Sequence, residues 1–172
     1  MNPNGLSWLN SLAPADAIAE FLKCCGSTEW ASRIEKLRPF LDVTDLNHKA
    51  STIWWDLDPE DWLEAFRSHP KIGEKKATAS VSSQAQAWST QEQAVIATSS
   101  SQVLDELASL NREYEEKFGY IFIVCATGKS SEAMLEILKS RIGNDSEAEL
   151  PIAATEQAKI TELRLEKLVA EK

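Results

Sequence analysis

A single segment of the chain, Tyr120 to Cys125, reads as a β-strand by propensity, and no comparable run exists elsewhere to pair with it. A lone strand cannot build a sheet, because its backbone donors and acceptors need partners. Elsewhere apolar residues recur at helical spacing. The chain therefore reads as all-α: a single-domain helical bundle of about seven to nine helices, with one short extended segment buried against them. A ligand could supply some of that segment's missing backbone partners.

Caps and breakers place the helices. Ala17, Ile18, Phe21 and Leu22 form an apolar face ended by Gly26. Ser27-Thr28-Glu29 caps a second helix carrying Trp30, Ile34 and Leu37, stopped by Pro39. Thr44 caps a third that runs towards Trp54-Trp55. Asp58 and Pro59 open a fourth as N-cap and first helical residue, with Trp62, Leu63 and Phe66 on its apolar face. A fifth starts near Ser89. A long helix follows to about Lys117, with Val103, Leu104, Leu107, Leu110, Tyr114 and Phe118 on one side. Ser130 or Ser131 caps a helix to about Ile142, and the last spans roughly Glu147 to Val169. Residues 1–10 read as a loose terminus. Residues 71–87, rich in Ser, Lys and Gln, read as a polar loop of the length that often serves function. No internal repeat or second domain interrupts residues 1–172.

The formal net charge of −9 argues against a nucleic-acid surface, which needs clustered Lys and Arg. The longest apolar run, Ile121 to Ala126, is too short to span a bilayer, and nothing resembles a signal peptide. Three cysteines, two adjacent (Cys24, Cys25), make no disulfide framework and suggest a reducing compartment. No metal constellation is expected, because neither histidine lies in a cluster of ligand spacing.

Histidine is scarce here, with two in 172 residues. His69 precedes Pro70, which disfavours helical geometry at the residue before it. An imidazole is thus presented at a helix-to-loop corner, and histidine titrates near neutral pH. On this segment alone, a helix-terminal histidine complementing the macrodipole is the simpler reading. His48, in Leu46-Asn47-His48-Lys49, reads as a surface helix residue.

Five segments in order change that balance. They are the His69-Pro70 corner, Trp88-Ser89-Thr90-Gln91-Glu92-Gln93-Ala94, Phe118-Gly119-Tyr120 running to Ala126, Gly128-Lys129-Ser130, and Glu156-Gln157-Ala158-Lys159-Ile160 running to Leu165. With Glu29-Trp30 and Arg38-Pro39-Phe40 upstream, the chain resembles, over nearly its whole length, the 2-oxo-4-hydroxy-4-carboxy-5-ureidoimidazoline (OHCU) decarboxylases of urate breakdown. The resemblance implies a carboxy-lyase of purine metabolism that forms (S)-allantoin without cofactor or metal. It implies His69 and Glu92 as catalytic residues. Pro70, Ser89, Gln93, Ile121, Phe122, Ile123 and Arg164 would contact substrate. It further implies a homodimer acting on a small molecule, with no nucleic-acid or membrane partner. In eukaryotes the expected residence is the peroxisome, although no terminal Ser-Lys-Leu address is visible; otherwise it is the cytoplasm. In plants such a domain often precedes a transthyretin-like hydroxyisourate hydrolase. This chain is therefore expected to be either free-standing or one half of such a fusion.

Each assignment has a plainer competitor. Ser89-x-x-Glu92 is also a capping-box pattern, and a helix start there would offer amides to an anion. Arg164, between Leu163 and Leu165, is of a type that usually snorkels at the surface. Ile121, Phe122 and Ile123 suit a core. Lys129-Ser130 after Gly128 lacks the spacing of a phosphate loop. The alternative for the whole chain is a non-catalytic helical interaction module that presents some of its six tryptophans on a binding face.

Overall fold

Short local signals set most helix boundaries. In the computed structural model the described residues are 3–71, 83–94 and 99–172. They form α1 (Pro3–Ser11), α2 (Pro14–Cys24), α3 (Thr28–Glu35), α4 (Val43–Trp55), α5 (Pro59–Arg67), α6 (Ser83–Glu92), α7 (Ser101–Phe118), α8 (Ser131–Ile142) and α9 (Ser146–Ala170). No strand occurs among the described residues, and 121–126 is extended backbone without a ladder. The all-α expectation holds.

Ser27 caps α3 by accepting from the Trp30 N–H at 3.2 Å. Ser130 caps α8 in the same way, from the Ala133 N–H at 3.1 Å. The cap of α4 is Asp42 rather than Thr44, with its Oδ1 2.7 Å from the Asp45 nitrogen. A carboxylate there satisfies an orphan donor and complements the helix dipole. Pro59 opens α5 as expected, and the Asp58 carbonyl accepts from the Trp62 N–H at 3.4 Å.

Two further boundary expectations need correction. Residues 3–10 are not loose but helical. A Cβ on Gly5 would lie 1.8 Å from the Val169 carbonyl oxygen, so α1 lies backbone-to-backbone against the end of α9. Arg38 Nη1 also closes the end of α1, donating to the carbonyls of Leu9 (2.9 Å) and Leu12 (2.8 Å). These are tertiary contacts with no local sequence signal. Of the expected 71–87 loop, Ser83–Ala87 belong to α6, which begins six residues before Ser89; residues 72–82 lie outside the described residues.

The chain divides into two compact units: Met1–Ala65 with Ala158–Lys172, and Phe66–Gln157. In the first, Phe21 meets Trp30 and Phe40 edge to face, with centroids 6.0 and 6.2 Å apart. The buried Trp30 indole donates to the Ala50 carbonyl at 3.1 Å, which satisfies its polar end.

In the second unit, the anticipated face of α7 packs as expected. Leu107 and Tyr114 are buried, and Val103, Leu104, Leu110 and Phe118 pack around them. Met134, Leu135 and Leu138 of α8 complete the cluster with Phe122, Val124 and Ala126, alternate residues of the extended segment. Gly119, with φ 82°, ends α7 in the left-handed region, and its N–H returns to the Glu115 carbonyl at 2.8 Å. That cap turns the chain from helix into the extended segment.

Candidate active site

The second unit must first solve the unpaired-strand problem, and it does so with side chains. The Ile123 carbonyl accepts from Arg141 Nη1 at 2.6 Å. The Cys125 N–H donates to Glu156 Oε1 at 3.2 Å, and the Cys125 carbonyl accepts from Lys129 Nζ at 2.8 Å. Long polar side chains thus stand where a neighbouring strand would have been.

Arg141 is itself held from below. Its Nε lies 2.7 Å from Glu149 Oε1, and its guanidinium lies over the Phe122 ring at 4.7 Å. Tyr114 Oη donates to the same carboxyl at 2.5 Å, and Asn144 Nδ2 donates to the other oxygen at 3.0 Å. Glu149 is fully buried and Arg141 nearly so. Burial, reinforced by the bond to Glu149, pushes the Tyr114 phenol well above its ordinary pKa, so it remains a donor. A buried pair of this kind needs its remaining hydrogen-bonding sites filled, and here several are.

His69 lies just beyond α5, its N–H donating to the Phe66 carbonyl at 3.2 Å. Phe66 is fully buried and its ring sits 5.4 Å from that of Tyr120. The imidazole Nε2 is 2.6 Å from Oε1 of Gln157, a fully buried residue of α9. Glu156 and Gln157 therefore fix, side by side, the Cys125 amide and the His69 ring. Pro70 is half-buried. Lys71 follows and pairs with Glu115 at 2.8 Å.

Ser89, Glu92 and Gln93 lie at the C-terminal end of α6, where the Gln93 N–H donates to the Ser89 carbonyl at 3.1 Å. Ser89 is buried, and Glu92 and Gln93 are half-buried. The capping-box reading fails on position, and the idea of a helix start offering amides at Ser89 fails with it. Glu92 lies within electrostatic reach of Cys125, as does Glu156. Burial is the main reason the Cys125 thiol is pushed up, with the two carboxylates adding to it.

The structure therefore brings His69, Glu92 and the segment 121–126 into one unit, together with Glu156 and Gln157, which open the fifth segment in the sequence but were given no site role there. Phe122 and Ile123 are buried and Ile121 is half-buried. Arg164 belongs to the other unit. It is 3% exposed, so it does not snorkel, and its Nη1 donates to the Lys23 carbonyl at 3.4 Å. Its charge acts on Cys24 and Cys25; burial dominates at both thiols, pushing Cys25 up to about 12. His48 is exposed on α4, as expected. Trp30, Trp54 and Trp88 are buried, which removes half of the tryptophans from any binding face.

An imidazole and a carboxylate in one helical unit can do general acid–base work on a small molecule, with extended backbone available to hold it. The comparisons with known proteins agree with that class. The profile of the OHCU decarboxylase family matches residues 10–166. The uric acid degradation bifunctional protein TTL of Arabidopsis thaliana is 42% identical over 154 residues, covering 89% of this chain and 47% of that protein. This chain thus spans about half the length of that relative. The 2-oxo-4-hydroxy-4-carboxy-5-ureidoimidazoline decarboxylase of Haloferax volcanii is 26% identical over 161 residues, covering 93% of each. A crystal structure of OHCU decarboxylase in the presence of (S)-allantoin superposes with a TM-score of 0.74 at 41% identity, over 88% of this chain and 97% of that one. The chain belongs to the OHCU decarboxylase family.

Proposed function

We propose that this chain decarboxylates OHCU to (S)-allantoin in urate catabolism, with His69 and Glu92 handling protons. The observation that carries the reading is the His69 imidazole, fixed at 2.6 Å by Gln157 in the unit that also holds Glu92 and the extended segment. The substrate bears a carboxylate and a hydroxyl on one ring carbon. Breaking the carbon–carbon bond releases carbon dioxide and leaves an electron pair that the adjacent carbon–nitrogen unsaturation accepts, its nitrogen taking up one proton from solvent to leave a neutral enol. The enol-like species then loses its hydroxyl proton and gains one at the ureido-bearing carbon, which becomes the stereocentre. His69 takes the hydroxyl proton, and Glu92 manages the proton at the new stereocentre. Pro70, Ser89, Gln93 and the backbone of Ile121, Phe122 and Ile123 hold the ring, so that protonation occurs on one face.

Arg164 lies on α9 and is nearly fully buried. We assign it a charge-assisted contact with the anionic substrate, on the strength of family membership and a planar fork suited to paired oxygens. A homodimer, a peroxisomal residence in a eukaryotic cell or a cytoplasmic one otherwise, and fusion to or partnership with a transthyretin-like hydroxyisourate hydrolase complete the proposal. They rest on the family, and the bifunctional Arabidopsis relative supports the last. The test is spectrophotometric loss of freshly generated OHCU. Acceleration over spontaneous decay supports the reading, and decay at the uncatalysed rate refutes it.

A further inference from the structure

We infer that Gln157 is a positioning residue that holds the His69 ring as its Nε2-protonated tautomer for proton transfer with substrate. The inference rests on the decarboxylase reading and extends it to a residue outside the catalytic pair.

The geometry is specific. Gln157 Oε1 lies 2.6 Å from Nε2, and Gln157 is fully buried on a long helix. A neutral imidazole has one N–H and one lone pair, whereas an amide oxygen can only accept. The nitrogen facing that oxygen must therefore carry the proton. The same bond survives when Nδ1 takes up a second proton, because the imidazolium still donates from Nε2. The ring need not turn between its two charge states.

An amide suits this task because it carries no charge of its own. A carboxylate at the same place would favour the imidazolium and make the proton harder to return. The neighbouring residue extends the effect. Glu156 binds the Cys125 N–H, so one turn of α9 sets the imidazole and the extended segment relative to each other. His69 is also tied through its own backbone to Phe66.

The chain has only two histidines, so ¹⁵N NMR of the imidazoles resolves the question, with His48→Gln assigning the signals. Neutral His69 in the full-length protein is expected as the Nε2-protonated tautomer. Gln157→Met, similar in length and apolar, should leave a mixed tautomer signal. It should lower kcat about tenfold with KM changed less than twofold, because the loss falls on the chemical step. Gln157→Glu restores an acceptor and should recover the Nε2-protonated tautomer, read at a pH high enough to keep the ring neutral beside the carboxylate. Wild-type His69 protonated on Nδ1 overturns the inference whether or not any variant folds. A folded Gln157→Met protein with unchanged tautomer and unchanged kcat overturns it as well. The spectrum is read without substrate, so failure of the decarboxylase assay with a fixed Nε2 tautomer would sink the function and leave the positioning role standing.

Discussion

Replacing Arg141 with methionine should expose how much the extended segment depends on its side-chain scaffold. Glu149 is fully buried, and Arg141 supplies its charge partner, with Nε 2.7 Å from Oε1. Tyr114 and Asn144 would still donate to the carboxyl, but its charge would be uncompensated. Breaking one side of a buried pair costs about 3–5 kcal/mol. The Ile123 carbonyl also loses the donor now 2.6 Å away, which pushes the cost to the upper end of that range. For a chain of this size, each kcal/mol lowers Tm by about 2–4 °C, so the midpoint should fall by roughly 10–20 °C. Urea and thermal unfolding followed by circular dichroism would measure it. Arg141→Met with Glu149→Leu removes both charges and should regain more than half of the loss, since a buried pair is often replaceable by apolar residues. A single variant within about 1 kcal/mol of wild type would rule out this scaffold role for Arg141, as would a double variant no better than the single.

Three further outcomes are expected. Glu92→Gln should cut turnover by about 10²-fold or more and lower the optical purity of the allantoin, with little change in Tm, because Glu92 sits at the C-terminal end of α6 and caps nothing at its start; unchanged rate and purity would return it to a structural role. Arg164→Lys keeps the charge but loses the fork, and should lower kcat/KM by roughly ten- to a hundredfold, equivalent to about 1.5–3 kcal/mol; steady-state kinetics beside melting curves would check it, and normal turnover would remove Arg164 from the substrate contacts. All three thiols are buried and raised in pKa, so a disulfide reagent should label them only on unfolding; rapid labelling of native protein at neutral pH would contradict the burial.

What the sequence made legible was local. Helical spacing marked the buried face of α7, Ser27-Thr28-Glu29 and the Ser130-Ser131 pair marked two helix starts, and the absence of a partner for 120–125 argued against a sheet. What it hid was tertiary. Gly5 against Val169 makes α1 a helix through a contact 164 positions away in the chain, counting from 5 to 169. The Ser89-x-x-Glu92 pattern imitates a helix start because α6 begins earlier, at Ser83 in a Ser- and Gln-rich stretch with little apolar periodicity. Arg141 and Glu149, at a helix end and a helix start, look like ordinary dipole-complementing charges until the fold buries them against each other. His69 and Gln157 are 88 residues apart, and no local pattern announces their bond.

The proposed role of His69 is to turn a helical scaffold into a stereoselective decarboxylase. Its most direct test is the allantoin formed from fresh OHCU, followed by circular dichroism with wild type and with folded His69→Asn. Wild type should give rapid appearance of (S)-allantoin, and His69→Asn should be slower by about 10²–10⁴-fold, the usual worth of general acid–base work. Near wild-type production of the (S) isomer by a folded His69→Asn protein would exclude His69 as the proton-handling group.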